Sequence, residues 1–348
     1  MKKILHLLNT ATFSGAENVV CEIINMFKGS EYEMAYCSME GSIRDTLLEK
    51  HIDFYPILKM SSRELKRVIE DYHPDIIHAH DMRAAFLASK VSNKTQVICH
   101  IHNNAFDARK LSPRSIAFLL ASVKIRHIFW VSEESKKDYY FSKLVNGKSS
   151  VLHNILDVEK LLERVYQDPN RYKYDIVYLG RLSDEKDPLR ILEICKMIKI
   201  TVPSIKLAII GDGPLRDEME HYVDANDLRE NVEFLGFKSN PLRVLQDSTI
   251  MIMTSKREGL PMCVLESQAV GTPTVCTSVG ELVNIITNNE NGYLCNTNEE
   301  FVNQIKLILN DKSLCDKLSL KAVAFSKKYN DKHTYMDNIR NVYSGALR

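Results

Sequence analysis

The segment YDIVYLGRLSDEKDP, residues 174–188, decides the fold. It opens as a short apolar run of strand-forming residues, closes that run at Gly180, and ends at Pro188, a residue suited to the first turn of a helix. A strand that passes through a glycine turn into a helix is half of a βαβ unit, so a parallel sheet with crossover helices is expected. The same pattern recurs on both sides. Earlier runs that read as strands are Lys3 to Leu8, Met34 to Ser38, Asp75 to Ala79, Gln96 to Ile101, His127 to Val131 and Ser150 to His153. Later ones follow 174–179 at Lys206 to Ile210, Val232 to Leu235, Thr249 to Met253, Pro273 to Cys276 and Tyr293 to Cys295. Two successive doubly wound α/β units are implied, with a seam in the polar stretch Gln167 to Arg171. The expected division is 1–168, 169–330 and a terminal helical piece 331–348.

Length and composition agree with two cores. The chain has 348 residues, 45% hydrophobic and 26% charged, too long for one ordinary domain and too apolar for disorder. Lys+Arg is 46 against Asp+Glu 45, a net charge of +1 that gives no general attraction for nucleic acid. The eight cysteines contain no Cys-x-x-Cys pair and read as reduced, mostly buried thiols of a cytoplasmic protein. The apolar run Ile4 to Leu8 is broken by His6, too short for a signal segment, and no run reaches the length of a membrane span.

In open parallel sheets ligands sit beyond the carboxyl ends of the strands, so the strand-to-helix loops carry the functional reading. After the first strand, a small-residue loop containing Phe13 and Ser14 leads to Gly15, where backbone amides can approach an anion. After Gly180, Arg181 and Lys186 leave one loop five residues apart, a fork and a point charge suited to a diphosphate. The loop Gly211-Asp212-Gly213-Pro214 is of the same type, and its glycines serve either a ligand or a tight turn. Glu258-Gly259-Leu260-Pro261 precedes a short helix expected over Met262 to Val270. The amides at its start would complete an anion cradle, while Glu258 and Glu266 are acceptor-only groups suited to ribose and sugar hydroxyls.

His78 and His80 close one strand, His100 and His102 another, and alternation puts each pair on one face. With no carboxylate or cysteine at ligand spacing, no metal is expected. His78 and His100 read as core or supporting groups, and His80 and His102 as nearer a substrate. Between Ala108 and Ser132 five basic residues and no acidic one surround an apolar helix, Ser115 to Val123. That segment reads either as a contact with an anionic membrane surface or as ordinary core.

These motifs resemble glycosyltransferase family 4, the group 1 retaining transferases of GT-B fold. The resemblance is carried by Ser14-Gly15-Ala16-Glu17, Val151-Leu152-His153-Asn154 with Asp157, Tyr178-Leu179-Gly180-Arg181 with Glu185-Lys186, Ile210-Gly211-Asp212-Gly213-Pro214, Phe234-Leu235-Gly236 and the two glutamates eight apart. They run in family order from residue 14 to about 295. The resemblance implies two Rossmann-like domains facing across a cleft, the first binding the acceptor and the second a nucleotide-sugar donor, most simply a UDP-sugar. It implies Arg181 and Lys186 on the diphosphate, Glu266 on the ribose, Glu258 with the backbone of Gly259 and Leu260 on the donor sugar and its phosphate, and Gly15 reaching the diphosphate from the first domain. It implies His102 near the reacting sugar, no metal, no further cofactor, and a final helix that crosses back to the first domain. The acceptor would meet His80, Asn103 and Phe13. Where members often carry Gly-Gly, this chain has Ser14-Gly15 and Gly280-Glu281; the second departure removes a flexible hinge at a helix start and loosens the inference about donor identity. The expected activity is retaining transfer of a hexose or N-acetylhexosamine to a saccharide or lipid-linked acceptor in bacterial surface polysaccharide synthesis, in the cytoplasm or peripherally on the inner face of the membrane. A non-catalytic nucleotide-sugar-binding partner subunit and a sugar-nucleotide epimerase are the alternatives. No Gly-x-Gly-x-x-Gly follows any strand, which disfavours dinucleotide redox chemistry.

Overall fold

A computed structural model describes residues 1–12, 15–92, 94–102 and 106–346. The chain divides into two compact units, Met1–Ile155 with Lys332–Arg348, and Leu156–Asp331. The first unit holds strands β1 (Lys2–Leu7), β2 (Tyr32–Met39), β3 (Phe54–Ile57), β4 (Ile76–Ala79), β5 (Gln96–Ile101), β6 (Ile125–Trp130) and β7 (Ser149–Val151). The second holds β8 (Tyr174–Leu179), β9 (Leu207–Ile210), β10 (Val232–Gly236), β11 (Ser248–Met253), β12 (Thr274–Thr277) and β13 (Gly292–Cys295).

Both sheets are parallel throughout, ordered β3-β2-β1-β4-β5-β6-β7 and β10-β9-β8-β11-β12-β13. Each winds outward from a central strand in both directions. The strand order therefore reverses beside β1 in the first unit and beside β8 in the second, and a crevice opens at each reversal. Helices on both faces bury the central strands completely, so β4 and β9 carry only buried residues. This explains why they read as continuous apolar runs without alternation. Each fully buried Ile or Leu in these layers contributes about 1.5–3 kcal/mol.

The sequence reading located twelve of these strands and passed over β3. That strand contains Pro56, which cannot donate to a ladder, and it lies at the sheet edge, where a proline is tolerated. The expected seam at 167–171 falls inside the second unit. The helix Val158–Gln167 buries Leu161 and Val165 against Val177, Ala208 and Leu245, so the compact boundary follows Ile155 instead. The segment beyond the second unit forms the helix Lys332–Ala346, which packs Tyr335, Ile339 and Tyr343 against Ile24, Phe27 and Tyr32 of the first unit. All eight cysteines are free. Among the described residues no helix is long and apolar enough to cross a membrane.

Candidate functional site

In the second unit the two loops flanking the strand-order reversal are laced together. The loop after β8 runs into a short 3-10 turn, Asp184–Lys186, and then the helix Pro188–Lys199. Asp187, between them, has φ 48°. A non-glycine residue in that conformation costs about 1–2 kcal/mol. It is held by Thr254, whose Oγ1 donates to the Asp187 carbonyl at 2.8 Å, and the Lys256 amide donates to the Glu185 carbonyl at 2.9 Å. The turn thereby aims Lys186 at the loop after β11, where its Nζ donates to Glu258 Oε1 at 2.6 Å. Ser255 Oγ donates to the same oxygen at 2.6 Å, leaving Oε2 without a partner among the described residues. Glu258 is buried and Lys186 half-buried, so their charges attract through less water than a surface pair.

The helix after this loop spans Met262–Ala269, one residue shorter than expected, with Pro261 as N-cap and no side-chain cap. Its first amides keep their donors for a ligand. Glu266 stands in the second turn, and burial pushes its carboxyl up to about 7, partly offset by Arg164. Burial raises the Cys263 thiol to about 12, with the charges of Glu258 and Glu266 adding to it and that of Lys186 opposing. Arg181 is exposed, and its side chain has no hydrogen bond or ion pair to any described residue.

The glycines separate into two groups. A Cβ at Gly15 or Gly259 would meet nothing within 4 Å, so both leave room for a ligand. At Gly211, where φ is 136°, a Cβ would stand 1.9 Å from the Gly180 carbonyl oxygen, and at Gly213 2.4 Å from that of Leu182. These two glycines let the loops after β8 and β9 pack together, as the bond from the Leu182 amide to the Asp212 carbonyl at 3.0 Å also requires. Of the two uses left open for the 211–214 loop, the structure favours the tight turn.

Glu266 gives a pH prediction. Its folded carboxyl titrates near 7 and an unfolded one near 4.5, so the folded state binds more protons between those values and its stability falls as pH rises through them. Glu266→Gln removes the penalty. Its melting temperature should match wild type at pH 4 and exceed it at pH 8; thermal unfolding at both values checks this, and an advantage that fails to grow with pH would contradict the buried-carboxylate account.

In the first unit, His6, His78, His80, His100 and His102 gather at the ends of β1, β4 and β5. The β1–β4 register sets His6 opposite His78. His80 Nε2 lies 2.9 Å from His6 Nδ1, and His80 Nδ1 lies 3.0 Å from His102 Nε2. His80, expected at the acceptor, is buried, with one ring nitrogen beside His6 and the other beside His102. His102, half-buried, is the most accessible of the five. Burial holds His6 at about 3 and His102 at about 4, and pushes the other three well below the usual imidazole range. Ring nitrogens of His6, His78 and His80, and of His80, His100 and His102, come within 4.8 Å of one another, a spacing that a metal could use. Phe13 and Asn103, the other expected acceptor contacts, lie outside the described residues.

Sequence reasoning noticed His6 only as an interruption of an apolar run, and passed over Thr254 and Ser255. A buried histidine at the centre of a strand was the available signal for the first. For the others, two hydroxyls directly after an apolar strand gave the same kind of sign.

Two doubly wound parallel sheets, the second with a charged loop pair at its strand-order reversal, give the chain the GT-B fold. Residues 13–160 match Glycosyltransferase Family 4, and residues 162–324 match Glycosyl transferases group 1. The chain belongs to this family. A glycosyltransferase of Methanocaldococcus jannaschii is 28% identical over 245 residues, which span 64% of this chain and 60% of that protein. The UDP-Gal:alpha-D-GlcNAc-diphosphoundecaprenol alpha-1,3-galactosyltransferase of Escherichia coli is 23% identical over 347 residues, 90% of this chain and 89% of the relative. The crystal structure of Anabaena HepE in complex with UDP superposes with a TM-score of 0.84 at 18% identity, covering 99% of this chain and all of that one.

Proposed function

We propose that this chain is a retaining glycosyltransferase that moves a hexose or N-acetylhexosamine from a UDP-sugar to a saccharide or lipid-linked acceptor in the assembly of a bacterial surface polysaccharide, such as capsule, exopolysaccharide, O-antigen or teichoic acid. The observation that carries the reading is the Lys186–Glu258 contact at the strand-order reversal of the second sheet, beside an uncapped helix start. Lys186 has three donors, so it can keep Glu258 and also hold a donor phosphate. Arg181 takes the other phosphate as a fork, the amides from Gly259 to Met262 face the departing oxygens, and Glu266 accepts from the ribose hydroxyls. Gly15, where a Cβ would meet nothing within 4 Å, leaves an anion open access to the amides that begin the helix Gly15–Met26, and Gly211, Asp212 and Gly213 shape the wall of the donor site.

In this reading the transferred bond breaks toward the diphosphate, and the negative charge gathering there is met by fixed donors rather than by a metal ion. Cys263, held protonated at neutral pH, is a poor nucleophile. The acceptor hydroxyl therefore attacks directly, on the face from which the diphosphate leaves, passing its proton to the departing phosphate oxygen, and configuration is retained. His102, neutral and half-buried, offers a hydrogen bond to the sugar. The lipid-diphosphate substrate in the name of the E. coli relative supports a lipid-linked acceptor. The test is UDP release from a panel of UDP-sugars with and without polyprenyl-diphosphate saccharides. Acceptor-dependent release is expected. A converted sugar nucleotide without acceptor would point to an epimerase, and binding without turnover to a donor-binding subunit.

A membrane-surface contact belongs to the same reading. Of the expected Ser115 to Val123 helix, seen as Pro113–Ser122, Phe118 is core and Leu119 half-buried, but Leu111, Ile116, Leu120 and Val123 are exposed beside Lys124. Apolar side chains rimmed by positive charge suit the headgroup layer of an anionic leaflet. Co-sedimentation with vesicles should rise with anionic lipid and fall for Leu120→Asp at unchanged melting temperature. Equal sedimentation with neutral vesicles would remove this part of the reading.

A further inference from the structure

The histidine row at the ends of β1, β4 and β5 lies beside the strand-order reversal of the first sheet, where an open α/β sheet takes its ligands. Its burial is at odds with its bonding. His6 Nε2, His78 Nε2, His102 Nδ1 and both nitrogens of His100 are buried and have no hydrogen-bond partner among the described residues. Folded proteins leave few such atoms unsatisfied, and five in one cluster call for a common partner.

Three of the rings converge. His80, His100 and His102 each offer a nitrogen within 4.8 Å of those of the other two. The ring centroids of His80 and His102 are 5.3 Å apart, those of His100 and His102 4.1 Å, and His80 Nδ1 lies 3.0 Å from His102 Nε2. Two imidazoles on one tetrahedral zinc ion, at about 2.0–2.1 Å each, hold their nitrogens about 3.3 Å apart. Binding therefore needs the His80–His102 contact widened by about 0.3 Å and the His100 nitrogen drawn inward, both within reach of small side-chain rotations.

The groups behind these rings fit the same use. A ligating imidazole commonly turns its other nitrogen to a fixed partner. His80 has His6 Nδ1 at 2.9 Å from its Nε2, His102 has the Asn154 side chain, and His100 has the Leu152 backbone. Burial keeps all three rings neutral at pH 7, with lone pairs to give. Glu17, 1% exposed, supplies a negative charge that acts on His102 and would offset part of a cation's charge.

We propose that His80, His100 and His102 bind one Zn2+ ion through three ring nitrogens, with the fourth position open on the solvent side of half-buried His102 for a water or hydroxyl oxygen. Three imidazoles without a carboxylate suit zinc and disfavour Mg2+ and Ca2+, which prefer oxygen ligands. The other close triad, His6, His78 and His80, is buried throughout and offers an ion no such open side. The sequence argued against a metal because no carboxylate or cysteine stands at ligand spacing, but a three-imidazole set needs neither. The site belongs to the first unit alone and does not depend on the donor-site reading.

The test uses the full chain without a polyhistidine tag, stripped with EDTA and titrated with Zn2+. One ion per chain should remain after gel filtration, and X-ray absorption should show imidazole nitrogens at about 2.0–2.1 Å from it. At a hundredfold excess over the dissociation constant the melting temperature should rise by about 5–10 °C, while Mg2+ alone should leave it unmoved. His100→Leu and His102→Gln should each weaken binding by more than the about 10–100-fold that loss of a supporting group costs. His78→Leu, outside the set, should keep it. A stripped wild type that takes up no zinc overturns the proposal. So does zinc held equally by a folded His100→Leu/His102→Gln double variant, or lost from a folded His78→Leu.

Discussion

Lys186→Ala should lower transferase turnover at least about a hundredfold, equivalent to about 2.7 kcal/mol of transition-state stabilisation. The size follows from where the charge sits. Lys186 is half-buried and fixed by a turn that Thr254 ties to the next loop, and in the proposed function it meets the diphosphate that gains negative charge on leaving. A preorganised cation there needs no reorientation as the bond breaks. The removal has a second effect, because Glu258 is left 6% exposed with only Ser255 to satisfy it. Lys186→Ala combined with Glu258→Gln separates the two. If Lys186 serves only to neutralise Glu258, the double variant turns over as fast as Glu258→Gln alone; if it serves the phosphate, the double variant falls well below Glu258→Gln. Equality of those two, or a Lys186→Ala variant that keeps more than about a tenth of wild-type turnover, would sink the assignment.

The second large effect contrasts two glycines. Gly211→Ala puts a Cβ 1.9 Å from a backbone oxygen in a conformation that L residues rarely adopt, so the second unit should lose about 3 kcal/mol or more. Gly259→Ala meets nothing within 4 Å and should leave stability within about 0.5 kcal/mol of wild type. Its methyl group would occupy the approach to the helix amides, and donor affinity should fall about tenfold. Thermal unfolding and a UDP-sugar titration of both variants check the contrast. A Gly259→Ala protein with unaltered donor affinity would show that the phosphate does not use those amides.

Most of the architecture could be read from the residues because parallel strands buried on both faces leave continuous apolar runs, and the loops that follow them are short. Lys186, Glu258 and Glu266 were legible for that reason: each stands a few residues beyond a strand end. The histidine row was only half legible. Alternation along single strands pairs His78 with His80 and His100 with His102, but the partnership of His6 with His80 depends on β1 lying beside β4, a neighbour relation that spacing does not encode. The two kinds of glycine looked alike in sequence because the difference lies in what opposes each Cα, a property of two loops and not of one. The edge strand around Pro56 escaped because its proline breaks a rule that holds only for inner strands.

The helix Lys332–Ala346 has a consequence for biosynthesis. Tyr335, Ile339 and Tyr343 complete a core whose other walls come from residues 4–155, most of them in the opening quarter of the chain, and Tyr343 bonds His78 at 2.8 Å. Those walls leave the ribosome long before the helix does, since the entire second unit is translated in between. During that interval Phe27, Tyr32 and Ile24 lack their cover, and the nascent chain is most exposed to holdase chaperones and to association with its neighbours on the polysome.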